Sequence, residues 1–296
     1  MERKTARDFD QELLNLFDEY VHGGVDRRGF IERAGKFAVG GVTAPMLLEM
    51  LSPKFAEAQQ VAPTDARIHG EHMEYASPQG YGKMRGYFVR PANASGRLPG
   101  VLVVHENRGL NPHIEDIARR LALDNFVAFA PDALFPLGGY PGNEDAAREV
   151  FPKLDQAKTR EDFVAAANWL EARPECTGRI GAVGFCYGGG IVNMLATRLP
   201  DLAAGVPFYG AQPPVEDVPK IKAAMLVQYA QEDPRINAGW PAYEAALKAN
   251  RIPYEGYIYP GTQHGFNNDT TPRYDAAASK LAWQRTVDWF NKYVRA

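Results

Sequence analysis

The stretch that decides the fold is RIGAVGFCYGGG, at residues 179–190. Residues 179–183 predict a buried strand and residues 191–199 a helix, so the link between them must be a very tight turn. Gly184, Cys186 and Gly188 give it the pattern G-x-C-x-G, the cysteine form of the nucleophile elbow. The glycines are needed because side chains there would collide with the neighbouring strand and helix. The alternative is a tight turn that carries a small buried cysteine.

The position of Cys186 also suits a reactive thiol. The free N–H groups at a helix N-terminus and the helix dipole both favour negative charge, so they stabilise a thiolate placed there. The chain has only one other cysteine, Cys176, in a polar loop where a thiol without function is the ordinary expectation. Two cysteines are too few for a disulfide framework.

Strands and helices alternate on both sides of this turn. The first two strands flank a turn-rich segment at 77–82 and predict an antiparallel hairpin. Strands are predicted at 69–76, 84–90, 100–105, 126–130, 179–183, 202–208, 224–229 and 254–259, and helices at 112–123, 162–171, 191–199, 241–250 and 274–293. This alternation predicts an α/β protein whose mostly parallel central sheet is flanked by helices. With the elbow, it predicts an α/β-hydrolase fold over residues 66–296.

An acid and a base follow Cys186 in the order that this fold requires. Asp233 comes after the predicted strand at 224–229, and Pro234 fixes the turn beyond it; Glu232 is the alternative acid. His264 lies between small residues in the loop after the strand at 254–259. In such a triad the thiol is the nucleophile, the imidazole accepts and returns the proton, and the carboxylate holds the imidazole in the useful tautomer.

The other five histidines are placed less suitably for a base. His105 ends a strand and is expected to shape the pocket, and His113 opens a helix. The remaining three precede the main part of the sheet: His22, His69 and His72. The developing oxyanion needs N–H donors, and we expect the backbone of Tyr187 to supply one and the loop at 106–110 the other.

Three spaced motifs resemble one known family. VVHENRG at 103–109, GFCYGG at 184–189 and HGF at 264–266 together resemble the dienelactone hydrolases, or carboxymethylenebutenolidases. The resemblance covers about residues 66–296. It implies the α/β-hydrolase fold, the Cys186, Asp233 and His264 triad, and a small ester or lactone as substrate.

The resemblance also implies roles for the loop after the third strand. A glutamate at the position of Glu106 regulates the thiol by taking its proton when substrate arrives, and the residue after it, Asn107, contributes the second oxyanion N–H. Without that role, a carboxylate beside a thiol would oppose ionisation of the thiol. The alternative for Glu106 is a carboxylate at the pocket edge that pairs with Arg108.

The substrate pocket departs from that of the founding enzymes of the family. There, arginines hold the substrate carboxylate, and one of them stands four residues after the catalytic histidine, where this chain has Asn268. Arg148 loosely matches the other arginine. Arg108 could bind the substrate with its positive charge from a different wall of the pocket. The resemblance therefore predicts the chemistry and leaves the natural substrate open.

Residues 1–60 lie outside the family core and predict a helical extension. Twin arginines at Arg27 and Arg28, a weakly apolar run at 37–51 and an Ala-x-Ala ending at Ala58 resemble a twin-arginine export signal, which would place the protein in the periplasm. The favoured alternative is a pair of helices packed on the catalytic domain of a cytoplasmic protein, because Pro45 and Glu49 interrupt the apolar run. No run is long enough for a transmembrane helix, so stable membrane insertion is not expected.

Charge and motif content exclude several functions. The net charge is −3 with no basic stripe, so no nucleic-acid partner is expected. No G-x-G-x-x-G precedes a helix and no cluster has metal-ligand spacing, so no cofactor and no metal are predicted. Whether the chain forms a homodimer is left open.

The sequence therefore predicts a cysteine-dependent hydrolase of small esters or lactones that acts through an acyl-thioenzyme. Two alternatives remain. One is hydrolysis of organophosphate triesters at the same triad, since an oxyanion hole also accepts a phosphoryl oxygen. The other is a redox-sensing or small-molecule-binding protein of the same fold.

Overall fold

The central feature of the computed structural model, which describes residues 4–295, is one eight-stranded sheet. Its strands are β1 (Ile68–Ser77), β2 (Gly82–Pro91), β3 (Leu98–Val104), β4 (Val127–Pro131), β5 (Cys176–Phe185), β6 (Ala204–Phe208), β7 (Ala224–Glu232) and β8 (Tyr254–Gln263). Their order in the sheet is β1-β2-β4-β3-β5-β6-β7-β8.

The direction of the strands follows from the hairpin and the helical crossovers. β1 pairs antiparallel with β2, and β2 antiparallel with β4. Every pairing from β4 through β3 to β8 is parallel. The predicted α/β class, the mostly parallel sheet and the α/β-hydrolase fold are therefore confirmed.

Helices connect the strands and cover both faces of the sheet. They are α1 (Gln11–Val21), α2 (Arg27–Ala34), α3 (Ala44–Leu51), α4 (Phe55–Ala58), α5 (Pro112–Leu123), α6 (Glu144–Val150), α7 (Gln156–Glu171), α8 (Tyr187–Arg198), α9 (Pro234–Asn237), α10 (Trp240–Ala249) and α11 (Ala276–Tyr293). The central strands β3 to β7 carry runs of buried apolar side chains, as expected where both faces are covered.

Helix α7 begins six residues before the position expected from hydrophobic periodicity. Its start is set by Asp155, whose carboxylate accepts the backbone N–H groups of Ala157 and Lys158. Such a cap satisfies N–H groups that have no acceptor within the helix, so a polar first turn is stable although it buries little. Asn143 caps the unpredicted helix α6 in the same way.

The first three helices form a small hydrophobic cluster of their own. Its members include Leu16, Phe17 and Tyr20 of α1, Phe30 of α2 and Leu48 of α3, all buried. In α1 the buried residues recur at helical spacing, so one face of the helix packs into this cluster. Among the described residues, no helix is long and apolar enough to cross a membrane.

Polar contacts hold this helical extension against the rest of the chain. Arg273 Nη1 lies 3.1 Å from Asp18 Oδ1, and Gln11 exchanges amide hydrogen bonds with Gln263 at 3.1 and 2.8 Å. Arg27 forms an ion pair with Asp145. One of the two arginines of the signal-like motif thus contributes to this interface, and export through that motif stays a prediction.

The elbow has the strained geometry that its sequence predicts. Cys186 adopts φ 55° and ψ −112°, a backbone conformation that residues other than glycine rarely adopt. A Cβ on Gly184 would lie 2.2 Å from the carbonyl oxygen of Gly188, and a Cβ on Gly188 would lie 2.2 Å from that of Val104. The Cys186 N–H donates to the carbonyl of Phe208 at 3.0 Å, which anchors the turn to β6.

Substitutions of two glycines should show whether stability depends on the close backbone approach or on the loss of any glycine in this segment. Gly188→Ala is expected to lower the free energy of unfolding by about 1–3 kcal/mol or more, because its Cβ must displace backbone of β3. Gly190→Ala is the matched control, since its Cβ would meet nothing closer than 3.7 Å, and alanine is favoured in a helix by up to about 1 kcal/mol. Urea unfolding measures both, and equal destabilisation would contradict this account.

Candidate active site

The three residues predicted as a triad meet at the carboxyl ends of the strands. Cys186 stands between β5 and α8, Asp233 follows β7 and caps α9, and His264 follows β8. Asp233 Oδ2 lies 2.5 Å from His264 Nδ1, and both side chains are buried. Glu232, the alternative acid, is exposed. The structure therefore brings Asp233 rather than Glu232 to the histidine.

The other nitrogen of His264 faces the thiol. Its Nε2 is buried and makes no hydrogen bond to any residue within 4–295. It belongs to a group of three ligand atoms, with Cys186 Sγ and a ring nitrogen of His22, that all lie within 4.8 Å of one another. A buried imidazole nitrogen without a partner is costly unless it serves a ligand or a proton transfer.

His22 is the site residue that sequence reasoning missed. It follows α1, and its Nε2 lies 3.3 Å from Cys186 Sγ although the two are 164 residues apart in the chain. Its ring packs edge-on against that of His264, with centroids 4.8 Å apart. Its position before the sheet gave no reason to expect it at the site; the structure corrects that expectation, and His264 is not the only imidazole beside the thiol.

A weak signal for His22 is present in the sequence. Asp18 and His22 are four residues apart, so they share one face of α1, and Asp18 Oδ2 lies 3.2 Å from His22 Nδ1. That pair alone does not reveal where α1 docks. The contact depends on the packing of the extension, for which local periodicity gives no information.

The electrostatic surroundings favour a thiolate at Cys186. Burial opposes ionisation of this thiol, but the neighbouring imidazolium charges of His264 and His22, with the hydrogen bond from His22, outweigh it and lower the pKa of Cys186 to about 6. In turn, burial would lower the pKa of each histidine, but the thiolate and the carboxylate partners raise the pKa of His264 to about 10 and that of His22 to about 9. The three groups therefore favour charge on one another, a thiolate at Cys186 and protonated rings at His264 and His22.

The two predicted oxyanion donors lie on either side of Cys186. Tyr187 is the first residue of α8, so its backbone N–H has no acceptor within the helix. Asn107 stands in the loop after β3, where its side-chain amide donates to the carbonyl of Val21 at 3.0 Å. Both residues line the same cavity as Cys186.

Glu106 lies beside the thiol and is held by Asn268. Asn268 Nδ2 donates to Glu106 Oε2 at 2.9 Å. The side-chain oxygen of Asn268, Oδ1, accepts the backbone N–H of Thr270 at 3.1 Å. Glu106, Cys186 and Asn268 line one small cavity of about 40 Å³. The residue that replaces a family arginine therefore contacts the predicted thiol-regulating carboxylate.

The two arginines proposed for substrate binding contact the extension. Arg108 is buried, donates to the carbonyl of Val21 at 2.8 Å and lies 3.8 Å from Glu144. It is not paired with Glu106. Arg148 stacks on the ring of Tyr20, 4.4 Å from its centroid. Neither arginine is among the residues that line the larger cavity.

That cavity, of about 650 Å³, opens from Cys186 toward the surface. Its walls combine apolar side chains such as Ile191 and Met194 with the cations Arg160 and Arg235. Arg235 Nη2 also lies 3.2 Å from His22 Nε2. The volume is within the range of sites that bind small molecules.

His105 holds the backbone next to the site in place. It is fully buried, its Nε2 accepts the N–H of Ala133 at 3.2 Å, and its Nδ1 lies 2.6 Å from the carbonyl oxygen of Glu106. Burial lowers its pKa to about 4, so the ring is neutral at pH 7. It fixes the backbone at the start of the loop that carries Glu106 and Asn107.

The sequence offered no metal-ligand spacing, whereas the fold brings together a thiol and two imidazoles. Their donor atoms come from three separate parts of the chain, at residues 22, 186 and 264. Spacing along the chain therefore did not reveal this group.

Comparison with known proteins gives two family matches. Residues 84–294 match the model of the dienelactone hydrolase family, and residues 1–38 match a model described as YqhI-like. The YghX hydrolase fragment of Escherichia coli K12 is 53% identical over 114 residues, which is 38% of this chain and 97% of that protein. A protein described as a carboxymethylenebutenolidase, also from Escherichia coli K12, is 32% identical over 71% of this chain and 83% of its own length.

Solved structures agree with these matches. A crystal structure described as a dienelactone hydrolase from Klebsiella pneumoniae is 31% identical, with a TM-score of 0.67 over 76% of this chain and all of the other. A dienelactone hydrolase-like promiscuous phosphotriesterase from metagenomic libraries is 26% identical, with a TM-score of 0.66 over 77% of this chain and 99% of the other. The predicted resemblance and the expectation of an ester or lactone hydrolase are thereby confirmed at the level of the family: this chain belongs to the dienelactone hydrolases.

Proposed function

We propose that the chain hydrolyses small esters or lactones with Cys186 as nucleophile, through an acyl-thioenzyme. The observation that carries this proposal is the position of Cys186 Sγ, which lies beside His22 Nε2 at 3.3 Å and near a His264 that Asp233 orients at 2.5 Å. A thiolate that is already formed needs no base to attack a carbonyl.

The steps of the proposed reaction follow from these positions. Cys186 Sγ attacks the carbonyl carbon, and the negative charge moves to the oxygen, where the N–H groups of Tyr187 and Asn107 would stabilise it. The C–O bond of the ester then breaks as the His264 imidazolium gives its proton to the leaving alkoxide. In a lactone that alkoxide stays attached to the acyl group.

Water completes the cycle by hydrolysing the thioester. His264, now neutral, takes a proton from the attacking water, and the thiolate leaves as the carboxylic acid forms. Asp233 keeps the Nδ1 proton of His264 in place during both formation and hydrolysis of the thioester. Each turnover thus consumes one ester and one water and restores the thiolate–imidazolium pair.

We assign His22 and Glu106 to control of the thiol. His22 adds a second positive charge at Sγ, which supports the thiolate before substrate arrives. Glu106 remains the proposed thiol-regulating carboxylate, because it lines the same small cavity as Cys186 and its hydrogen bond from Asn268 fixes its orientation. With the thiol already ionised, Glu106 would act through its negative charge and not by taking the thiol proton, the role that the family resemblance implies. Arg108, Arg148 and Asn268 are proposed to shape this side of the site, and the cations Arg160 and Arg235 lie on the substrate side.

A second candidate activity is hydrolysis of phosphotriesters. The likeness to a promiscuous phosphotriesterase of the same fold favours it. A panel of lactones, aryl esters and phosphotriesters ranks the two activities by kcat/KM. We expect carboxylic esters or lactones to rank first.

We further propose that residues 1–60 stay attached to the catalytic domain at 66–296, in the cytoplasm. Cleavage after Ala58 would remove His22 from the thiol, along with the Asp18 and Gln11 contacts of the extension. The intact mass of the protein from its native cell is expected to include the extension. A mass that begins after Ala58, in a periplasmic fraction, would overturn this proposal.

Removal of the nucleophile should abolish turnover. Cys186→Ala is expected to lower kcat/KM for a small aryl ester by at least about 10³-fold, and Cys186→Ser should also be far weaker than wild type because the site is arranged for a thiolate. Cys176→Ala is the matched control, since that thiol is free and buried away from the site. Full activity of Cys186→Ala would refute the proposal.

The reactivity of Cys186 should depend on pH through its lowered pKa. Because the thiolate is present above the pKa and lost below it, alkylation by iodoacetamide is expected to rise with pH through about 6. Cys176 should react slowly, since burial raises the pKa of its thiol. Mass spectrometry of each cysteine peptide against time and pH gives both rates.

His22→Ala should move this profile to higher pH. The substitution removes one positive charge and one hydrogen bond from the thiolate, so alkylation at pH 6 is expected to slow several-fold and to recover above about pH 8. His69→Ala changes an exposed histidine of β1 and should leave the profile unchanged. An unshifted profile in the His22 variant would mean that His22 does not support the thiolate.

A further inference from the structure

We propose that Cys186, His22 and His264 form a binding site for Zn²⁺, with the helical extension supplying the third ligand. The ligand atoms, Sγ and one ring nitrogen of each histidine, lie within 4.8 Å of one another. On the proposed function, a bound Zn²⁺ would occupy both the nucleophile and the base, so it would inhibit hydrolysis.

The distances suit a zinc ion with small shifts of the rings. Zinc binds sulfur at about 2.3 Å and imidazole nitrogen at about 2.0 Å in a tetrahedral arrangement, which places neighbouring ligand atoms about 3.3–3.6 Å apart. His22 Nε2 already lies 3.3 Å from Cys186 Sγ. The remaining separations, at most 4.8 Å, close by side-chain movements of about 1 Å.

The chemistry of the three ligands selects for zinc over the commoner hard cations. One thiolate and two imidazoles are the soft and borderline donors that Zn²⁺ prefers, whereas Mg²⁺ and Ca²⁺ require oxygen. Three protein ligands leave a fourth position, and Cys186 and His22 both line the 650 Å³ cavity through which water would reach it. This count is that of an open zinc site rather than a closed structural one.

Carboxylates behind both histidines set the rings for metal binding. Asp18 lies 3.2 Å from His22 Nδ1, and Asp233 lies 2.5 Å from His264 Nδ1. A carboxylate on one ring nitrogen fixes the tautomer and directs the other nitrogen to the metal. The buried Nε2 of His264 has no protein partner apart from the neighbouring thiol, and a bound ion would displace the proton that this nitrogen carries in the imidazolium form.

The local charges favour a divalent cation. Once a metal ion has displaced the protons of the two histidine rings, the Cys186 thiolate and the carboxylates of Asp18 and Asp233 supply three negative charges around the ligand atoms. Arg273 pairs with Asp18 at 3.1 Å and so offsets part of this negative charge. Arg235 opposes a cation, since its Nη2 lies 3.2 Å from His22 Nε2, but this side chain is exposed and free to turn into solvent.

The test is a titration of the reduced, chelator-treated full chain with Zn²⁺ in a calorimeter, and with Co²⁺ in a spectrophotometer. Wild type is expected to bind one ion and to develop the thiolate-to-cobalt charge-transfer band. Cys186→Ala should lose that band, and His22→Ala should weaken Zn²⁺ binding by at least about tenfold. Asp18→Asn should weaken it by about tenfold, as loss of a supporting carboxylate commonly does.

Two controls complete the design. His69→Ala should bind Zn²⁺ as wild type does, and Mg²⁺ should neither bind nor compete. Wild type without saturable Zn²⁺ binding, or His22→Ala with unchanged affinity, would overturn the site. If His22→Ala does not fold, Asp18→Asn decides, since it keeps the side-chain size and unchanged affinity in it would also overturn the proposal.

A parallel ester assay separates this proposal from the function on which its inhibitory effect rests. A chain that binds Zn²⁺ as expected but hydrolyses nothing when metal-free would retain the site and refute the proposed hydrolysis. A chain that hydrolyses esters but gives neither heat nor a cobalt band would retain the hydrolysis and refute the site.

Discussion

The site depends first on the approach of the α8 backbone to strand β3 at the elbow. A Cβ at Gly188 would stand 2.2 Å from the carbonyl oxygen of Val104, so no side chain fits there. That approach places Cys186 above the sheet in a strained conformation, at φ 55°. It also sets where Tyr187 and the loop after β3 lie relative to Cys186, and these are the two places from which oxyanion N–H donors are expected. Asp233 and His264 then need only stand at the ends of strands on one side of the elbow.

The second constraint is charge, and part of it comes from outside the catalytic domain. A buried thiol would ordinarily resist ionisation, and Asp233 acts on it only through His264. His22 adds a positive group at 3.3 Å from Sγ, carried by a helix with its own hydrophobic cluster. The thiol is therefore tuned by an interface between two packed units, and the same interface creates the set of three metal ligands.

The fold and the triad positions were predictable because local rules control them. Continuous apolar runs indicate strands buried on both faces, and the elbow can be recognised because only glycine fits two residues before and two residues after Cys186. The docking of α1 was not predictable in this way, because it depends on contacts such as Arg273 with Asp18, between residues far apart in the chain. For the same reason the role of His22 could not be predicted. At Asn268 the sequence showed only that an arginine of the family is missing, and it did not indicate the contact with Glu106.

The distance along the chain between His22 and the residues it meets also governs when the site can form. During synthesis α1 leaves the ribosome long before the groups that receive it, His264 and Arg273, which lie far later in the sequence. Cys186 is thus translated, and its elbow can close, before either imidazole reaches it. Before His264 is made and α1 docks, the nascent thiol lacks the two imidazolium charges that lower its pKa, so it is a poorer target for electrophiles and oxidants than in the folded protein.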